Sequence, residues 1–195
     1  MDIFTGIISG FGLAAPAGLN AWLPLLITGL AARIGFIKLA APFDVISSTW
    51  ALLVIGLLLT IEIFADKIPA VDSINDIIHT VIRPAAGGIL FAAHSGVIGG
   101  VDPVLAFVLG ALSAGSVHVV KAGARPLITA TTGGIGNPLV SFVEDIVSAL
   151  ATILALVVPI LAAVLMGTIL AVAAWFVWRW RERRKKRKEA QNTLQ

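Results

Sequence analysis

Residues 62 to 84, EIFADKIPAVDSINDIIHTVIRP, gather Glu62, Asp66, Asp72, Asp76, His79 and Arg83 into one short stretch of an otherwise apolar chain. Glu62 and Asp66 are four apart, the spacing that puts two side chains on one helix face. After Pro69, Val71, Ile74, Ile77, Ile78, Val81 and Ile82 recur at helical spacing, with Asp72, Asp76, His79, Thr80 and Arg83 on the opposite side. Carboxylates beside a histidine can couple charge movement, gate a polar path or hold a hard cation. Acidic helix faces are also commonplace at surfaces, so the spacing leaves the metal question unknown. The stretch predicts a helix end at Glu62–Asp66, a proline corner, and a short amphipathic helix leading to Pro84. That helix either lies at an interface or turns its polar face into a cavity. Glu62 argues for the cavity, because it sits in LLLTIE, where a carboxylate needs a partner.

A second set of charges is basic. His118, Lys121 and Arg125 fall at i, i+3 and i+7, a stripe along one helix whose body carries Gly110, Ala114 and Gly115 for close packing. Lys121 and Arg125 could snorkel to an interface, whereas His118 lies too deep for that. Set opposite Glu62 and Asp66, the stripe would line a cavity for an anion or a zwitterion. Asn20 lies between Pro16 and Pro24, where the first apolar helix is expected to open, and is the best pore-lining residue of that segment. Gly6, Gly10, Ala14 and Gly18 give the same segment a small-residue packing face.

The elements that must position these groups belong to a membrane. Hydrophobic residues are 58% of the 195, charged residues 13%, and mean hydropathy is +0.98, against about 25% charged in a soluble domain. The net charge of +3 is misplaced. Eight of the fourteen basic residues lie between Arg179 and Lys188, leaving six basic and nine acidic residues outside the tail. That distribution gives no reason to expect nucleic acid. Trp175, Trp178 and Trp180 just before or within the basic run suit an aromatic belt followed by a cytoplasmic anchor, where anionic lipids would gather. With no cysteine, thiolate chemistry is excluded. The opening MDIFTGIISG lacks the basic n-region of a cleaved signal and is treated as structure.

Apolar segments at about 5–32, 45–65, 85–100 and 104–120, and one long run at 146–177, predict an all-α polytopic transmembrane bundle of about five spans, with six as the alternative. The membrane domain would occupy 1–178 and the basic cytoplasmic tail 179–195. Five spans with the C-terminus inside put the Arg33–Lys38 loop inside as well, and the acidic 66–83 region outside. GFGLAAPAGLNAWLPLLIT (10–28) and GALSAGSVHVVKAGARPLIT (110–129) share a faint pattern. It suggests a weak inverted-topology repeat with halves at about 5–66 and 104–178, an architecture frequent in transporters. TTGGIGNP (131–138) has the wrong glycine spacing for a potassium filter. There is no phosphate loop, nucleophile elbow or zinc-protease helix.

Three segments, PAGLNAWLPLL (16–26), EIFADKIPAVD (62–72) and HTVIRPAAGG (79–88), resemble a family of small bacterial integral membrane proteins catalogued as domain of unknown function 4126. The resemblance spans most of residues 5 to 175 and omits the basic tail. It implies a multi-span protein of the inner membrane and brings no activity or ligand with it.

The expected function is therefore a small transporter or channel for a small polar or anionic solute. Glu62 and Asp66 would couple or gate charge, His118, Lys121 and Arg125 would supply counter-charges, and Asn20 polar contacts. Asp72, Asp76, His79 and Arg83 would form the mouth. A lipid-handling protein (scramblase, carrier or metal-assisted lipid enzyme) and a non-transporting scaffold are the alternatives. No cofactor is expected, the bilayer and a small solute or ion are the expected partners, and homo-oligomers are compatible with the sequence.

Overall fold

The computed structural model of the protein describes residues 3–65, 69–98 and 101–158, then 161, 164, 167–168, 171–172, 175–176, 178–179 and 183; for 3–5, 69–77 and 95–98 it describes the backbone alone. The described residues form helices and turns, without strand: α1 (Ile3–Ala14), α2 (Trp22–Arg33), α3 (Thr49–Ala65), α4 (Pro69–Ile98), α5 (Pro103–Thr132) and α6 (Asn137–Val157). Short 3-10 turns at Ala15–Gly18 and Phe43–Ser47 interrupt the order.

The first apolar segment opens where Pro16 requires it. A proline inside a helix removes one amide donor and crowds the carbonyl four residues back. The chain answers with the tight turn Ala15–Gly18, all four residues buried. Pro24 is harmless, because it lies in the first turn of α2, where amide donors have no helical partner anyway.

Pro84 was expected to separate two elements and does not, and Pro126 is likewise accommodated inside a helix. α4 runs unbroken from Pro69 to Ile98 with Pro84 inside it, and α5 runs from Pro103 to Thr132 with Pro126 inside it. The short amphipathic helix and the third apolar segment are therefore one element. Packing explains the continuity: α4 and α5 form the most extensive helix pair, and α1 lies against α4. The ends of α5 are well specified. Asp102 Oδ1 accepts from the amides of Val104 and Leu105 at 2.9 and 3.0 Å, an N-cap. Gly133 closes the other end at φ +63°, the left-handed conformation that glycine adopts without a Cβ penalty.

The run at 146–177 also differs from expectation. α6 begins at Asn137, with Pro138 in its first turn, and ends at Val157. Val158 leaves helical geometry (φ −137°, ψ 78°), as a residue preceding a proline tends to do. The described positions from 161 onward that carry secondary structure are helical again.

By length and composition α5 and α6 can each cross a membrane, with mean hydropathies of 1.9 and 2.0; α1 with its turn, α2 and α3 are shorter apolar helices. The distribution of side chains is inverted relative to a soluble protein. Trp50, Leu57, Leu112, Val119 and Leu150 face outward, whereas Glu62, Arg83, His118, Lys121 and Arg125 are buried. Together these features point to a membrane protein.

Glycine permits the central helix crossing. A methyl group on Gly87 would lie 2.7 Å from the Gly110 carbonyl oxygen, while one on Gly56 would meet nothing within 4 Å. Gly87→Ala should lower stability by about 1–3 kcal/mol through overpacking. Gly56→Ala should be neutral or raise it by roughly 0.5–1 kcal/mol, since alanine loses less backbone freedom in a helix. Thermal unfolding midpoints in detergent check both signs.

Candidate functional site

The broken helix is tied down from two sides. The Asn20 side chain caps α2, its Oδ1 accepting from the amides of Trp22 and Leu23 at 3.0 Å each. Its Nδ2 donates across the bundle to Asp145 Oδ1 of α6 at 2.9 Å. The Pro16 carbonyl accepts from the Leu19 amide and from Ser148 Oγ of α6, both at 3.0 Å. The Leu19 carbonyl accepts from Lys121 Nζ of α5 at 2.8 Å. Backbone groups released by the break thus meet side chains of α5 and α6, which is how irregular backbone is accommodated inside apolar surroundings.

Two charge clusters flank the break. In the first, Glu62 of α3 meets Arg83 of α4, with NH2 3.3 Å from Oε1. His79 Nε2 is 3.3 Å from the same oxygen, and the Trp22 ring stands edge-on to the His79 imidazole at 6.4 Å between centroids. Arg83 NH1 donates to His118 Nδ1 of α5 at 2.8 Å. A guanidinium can only donate, so Nδ1 is the acceptor and His118 is the neutral tautomer protonated at Nε2. That Nε2–H then faces Thr80 Oγ1 at 3.2 Å. Glu62, His79, Arg83 and His118 are all at least 96% buried.

In the second cluster α5 faces α6. Lys121 Nζ is 2.9 Å and Arg125 NH2 is 3.5 Å from Glu144 Oε2. Arg125 NH2 also donates to Ser141 Oγ at 2.8 Å. Lys121 and Arg125 are buried, which rules out the snorkelling that their sequence allowed. A cavity of about 340 Å³ between α5 and α6 is bounded by Lys121, Glu144 and apolar side chains that include Leu139 and Val143. On the other side of α6 a second cavity, of about 290 Å³, is bounded by Leu23, Ile63, Ser141 and Asp145.

The expected residues are therefore assembled, but with different partners. Glu62 does not face the Lys121–Arg125 stripe; it meets His79 and Arg83. Lys121 and Arg125 instead meet Glu144. Arg83 lies on α4 just before Pro84, and the helix sets it against Glu62 of α3. Asn20 and His118 are both interior, as a packed first segment and α5 require. Asp66 lies outside the described residues. Asp72 and Asp76 lie on α4, with their side chains outside the description.

Glu144 and Asp145 were missed. The apolar run was taken to begin at Ile146, although Gly-Gly-Ile-Gly followed by Asn137–Pro138 is a turn and helix start that places both carboxylates inside a helix. Among the described residues, no three His, Asp or Glu side chains gather as a metal site.

Fold and site define an all-helical protein, apolar outside, with charged side chains held in its interior. The chain belongs to the family described as domain of unknown function (DUF4126), which matches residues 7–179. No curated protein and no solved structure matches it.

The pairing predicts which substitutions are coupled. Arg83→Met alone should destabilise by about 3–5 kcal/mol, because it strips a buried carboxylate of a partner. Double-mutant cycles on thermal stability should give coupling of roughly 0.5–3 kcal/mol for Glu62 with Arg83 and for Lys121 with Glu144. Glu62 with Lys121, which share no recorded contact, should be additive to within about 0.5 kcal/mol.

Proposed function

We propose that the protein is a small membrane transporter or channel for a small polar or anionic solute, guided by the buried cations of α5 past the break between α1 and α2. The observation that carries this proposal is the convergence at the break: its carbonyls, Asn20, Lys121 and the α6 carboxylates meet inside an apolar shell. Structural stability alone does not call for such an arrangement. Replacing a buried ion pair by apolar residues of similar volume is often neutral or stabilising, and charges inside a membrane protein most often mark a pathway. In this proposal Lys121 and Arg125 attract the solute and Glu144 is the internal anion it displaces. Glu62, Arg83 and His118 hold α3, α4 and α5 in register, and gate by exchanging partners. The protein then spans the bacterial inner membrane several times, its basic tail at the cytoplasmic face among anionic lipids, with α1–α2 and α5 as members of an inverted repeat.

A lipid-handling role is the second proposal, favoured by one feature. Leu139 and Val143, on the walls of the α5–α6 cavity, are also exposed on the apolar exterior, so that cavity opens sideways.

A flux screen of ions and small metabolites in proteoliposomes, paired with a lipid-scrambling assay on the same vesicles, separates the two. Transport predicts solute flux above protein-free vesicles, reduced at least about tenfold by Lys121→Met, equivalent to roughly 1.4 kcal/mol on the barrier. Glu62→Gln should stay folded and lose flux. Scrambling without solute flux would favour the lipid role, and neither activity would leave a scaffold.

A further inference from the structure

The α5–α6 cavity joins two features that the convergence at the break does not require. Its floor is an ion pair, Lys121 Nζ with Glu144 Oε2 at 2.9 Å, and its walls are apolar. Neither ion is saturated. An ammonium has three donors; Lys121 directs one to Glu144 and one to the Leu19 carbonyl, and no described residue takes a third. Both recorded cation contacts of Glu144 fall on Oε2, and the side chain keeps 16% of its surface exposed, against 2% for Lys121. Glu144 thus lines the cavity with part of its side-chain surface uncovered. A volume of about 340 Å³ lies at the small end of the roughly 300–1,000 Å³ of small-molecule sites.

We infer that this cavity binds the zwitterionic head of a membrane amphiphile, its anionic group on Lys121 and its ammonium on Glu144, with its apolar chain leaving between α5 and α6. A purely anionic head would first have to displace Glu144 from Lys121, and a purely cationic one would meet Lys121 and Arg125. A head with both charges complements the pair. The sideways opening beside Leu139 and Val143, both exposed on the apolar exterior, selects an occupant delivered from the bilayer. The inference rests on the proposal that the α5 charges serve a ligand, but it concerns binding, which is measured without transport.

The test is binding to the purified full-length protein in detergent, followed as the thermal midpoint against added short-chain phosphatidylethanolamine. Short-chain phosphatidylglycerol and free phosphoethanolamine are the comparisons. The expected result is a saturable rise with phosphatidylethanolamine, with apparent affinity at least about tenfold weaker for the other two. Lys121→Met should abolish the rise. Ala124→Phe, which fills the cavity while leaving Lys121 and Glu144 in the chain, should do the same and stands in if Lys121→Met fails to fold. Equal response to phosphatidylglycerol would overturn the zwitterionic head, and equal response to phosphoethanolamine would overturn the membrane source. A rise that survives Ala124→Phe would overturn the location. Solute flux that persists in Ala124→Phe vesicles while lipid binding is lost leaves transport standing without this inference's site in it. Lipid binding in a protein that moves no solute supports the inference and removes transport.

Discussion

The Lys121 ammonium of α5 joins three elements at one point. It sits 2.8 Å from the Leu19 carbonyl at the break between α1 and α2, and 2.9 Å from Glu144 of α6. The break releases a carbonyl from helical bonding among largely apolar side chains, and a buried acceptor left unsatisfied costs about 1–3 kcal/mol. A buried ammonium is equally poor without partners. Each solves the other's problem, and Glu144 neutralises what is left. Remove the ammonium, and the Leu19 carbonyl loses its side-chain partner while Glu144 keeps only Arg125, at 3.5 Å.

The same helix carries the other cluster. From His118 to Arg125 α5 rises only about 10 Å, yet over that distance its side chains reach α4 through Arg83, the broken segment through Leu19, and α6 through Glu144 and Ser141. α5 is therefore the common member of both networks. Its close crossing with α4 at Gly87 and Gly110 sets how far the helix can shift, and so how far one network can move without the other. Lys121 lies about five-sixths of a helical turn beyond His118 on the same stripe.

Much of this was legible in the sequence. The break at Pro16 with Asn20 beside it, the alignment of His118, Lys121 and Arg125 on one helix face, and the close small-residue packing all followed from residue type and spacing, because each is a local property; the burial of Lys121 and Arg125 did not. Partner choice was not local. Glu62 was matched to Lys121 on charge alone, because which distant helix a side chain faces cannot be read from spacing within one helix. Glu144 was overlooked because the helix start at Asn137 was read as a loop ahead of an apolar run. At Pro84 proline was given too much weight: α4 continues through it, as α5 continues through Pro126.

The central claim is that the charged interior around α5 and α6 is a hydrated path and not a sealed polar core. The chain contains no cysteine, so single thiols report without background. Ser141→Cys places one beside Arg125 on the wall of the second cavity, and Leu150→Cys places one on the apolar exterior. In native membranes a small hydrophilic thiol reagent should modify the Ser141→Cys protein at a rate at least about tenfold above the Leu150→Cys protein, since the reacting thiolate forms in water and is suppressed in apolar surroundings. An unreactive Ser141→Cys protein that folds normally would contradict the account, and would make the buried charges a structural core.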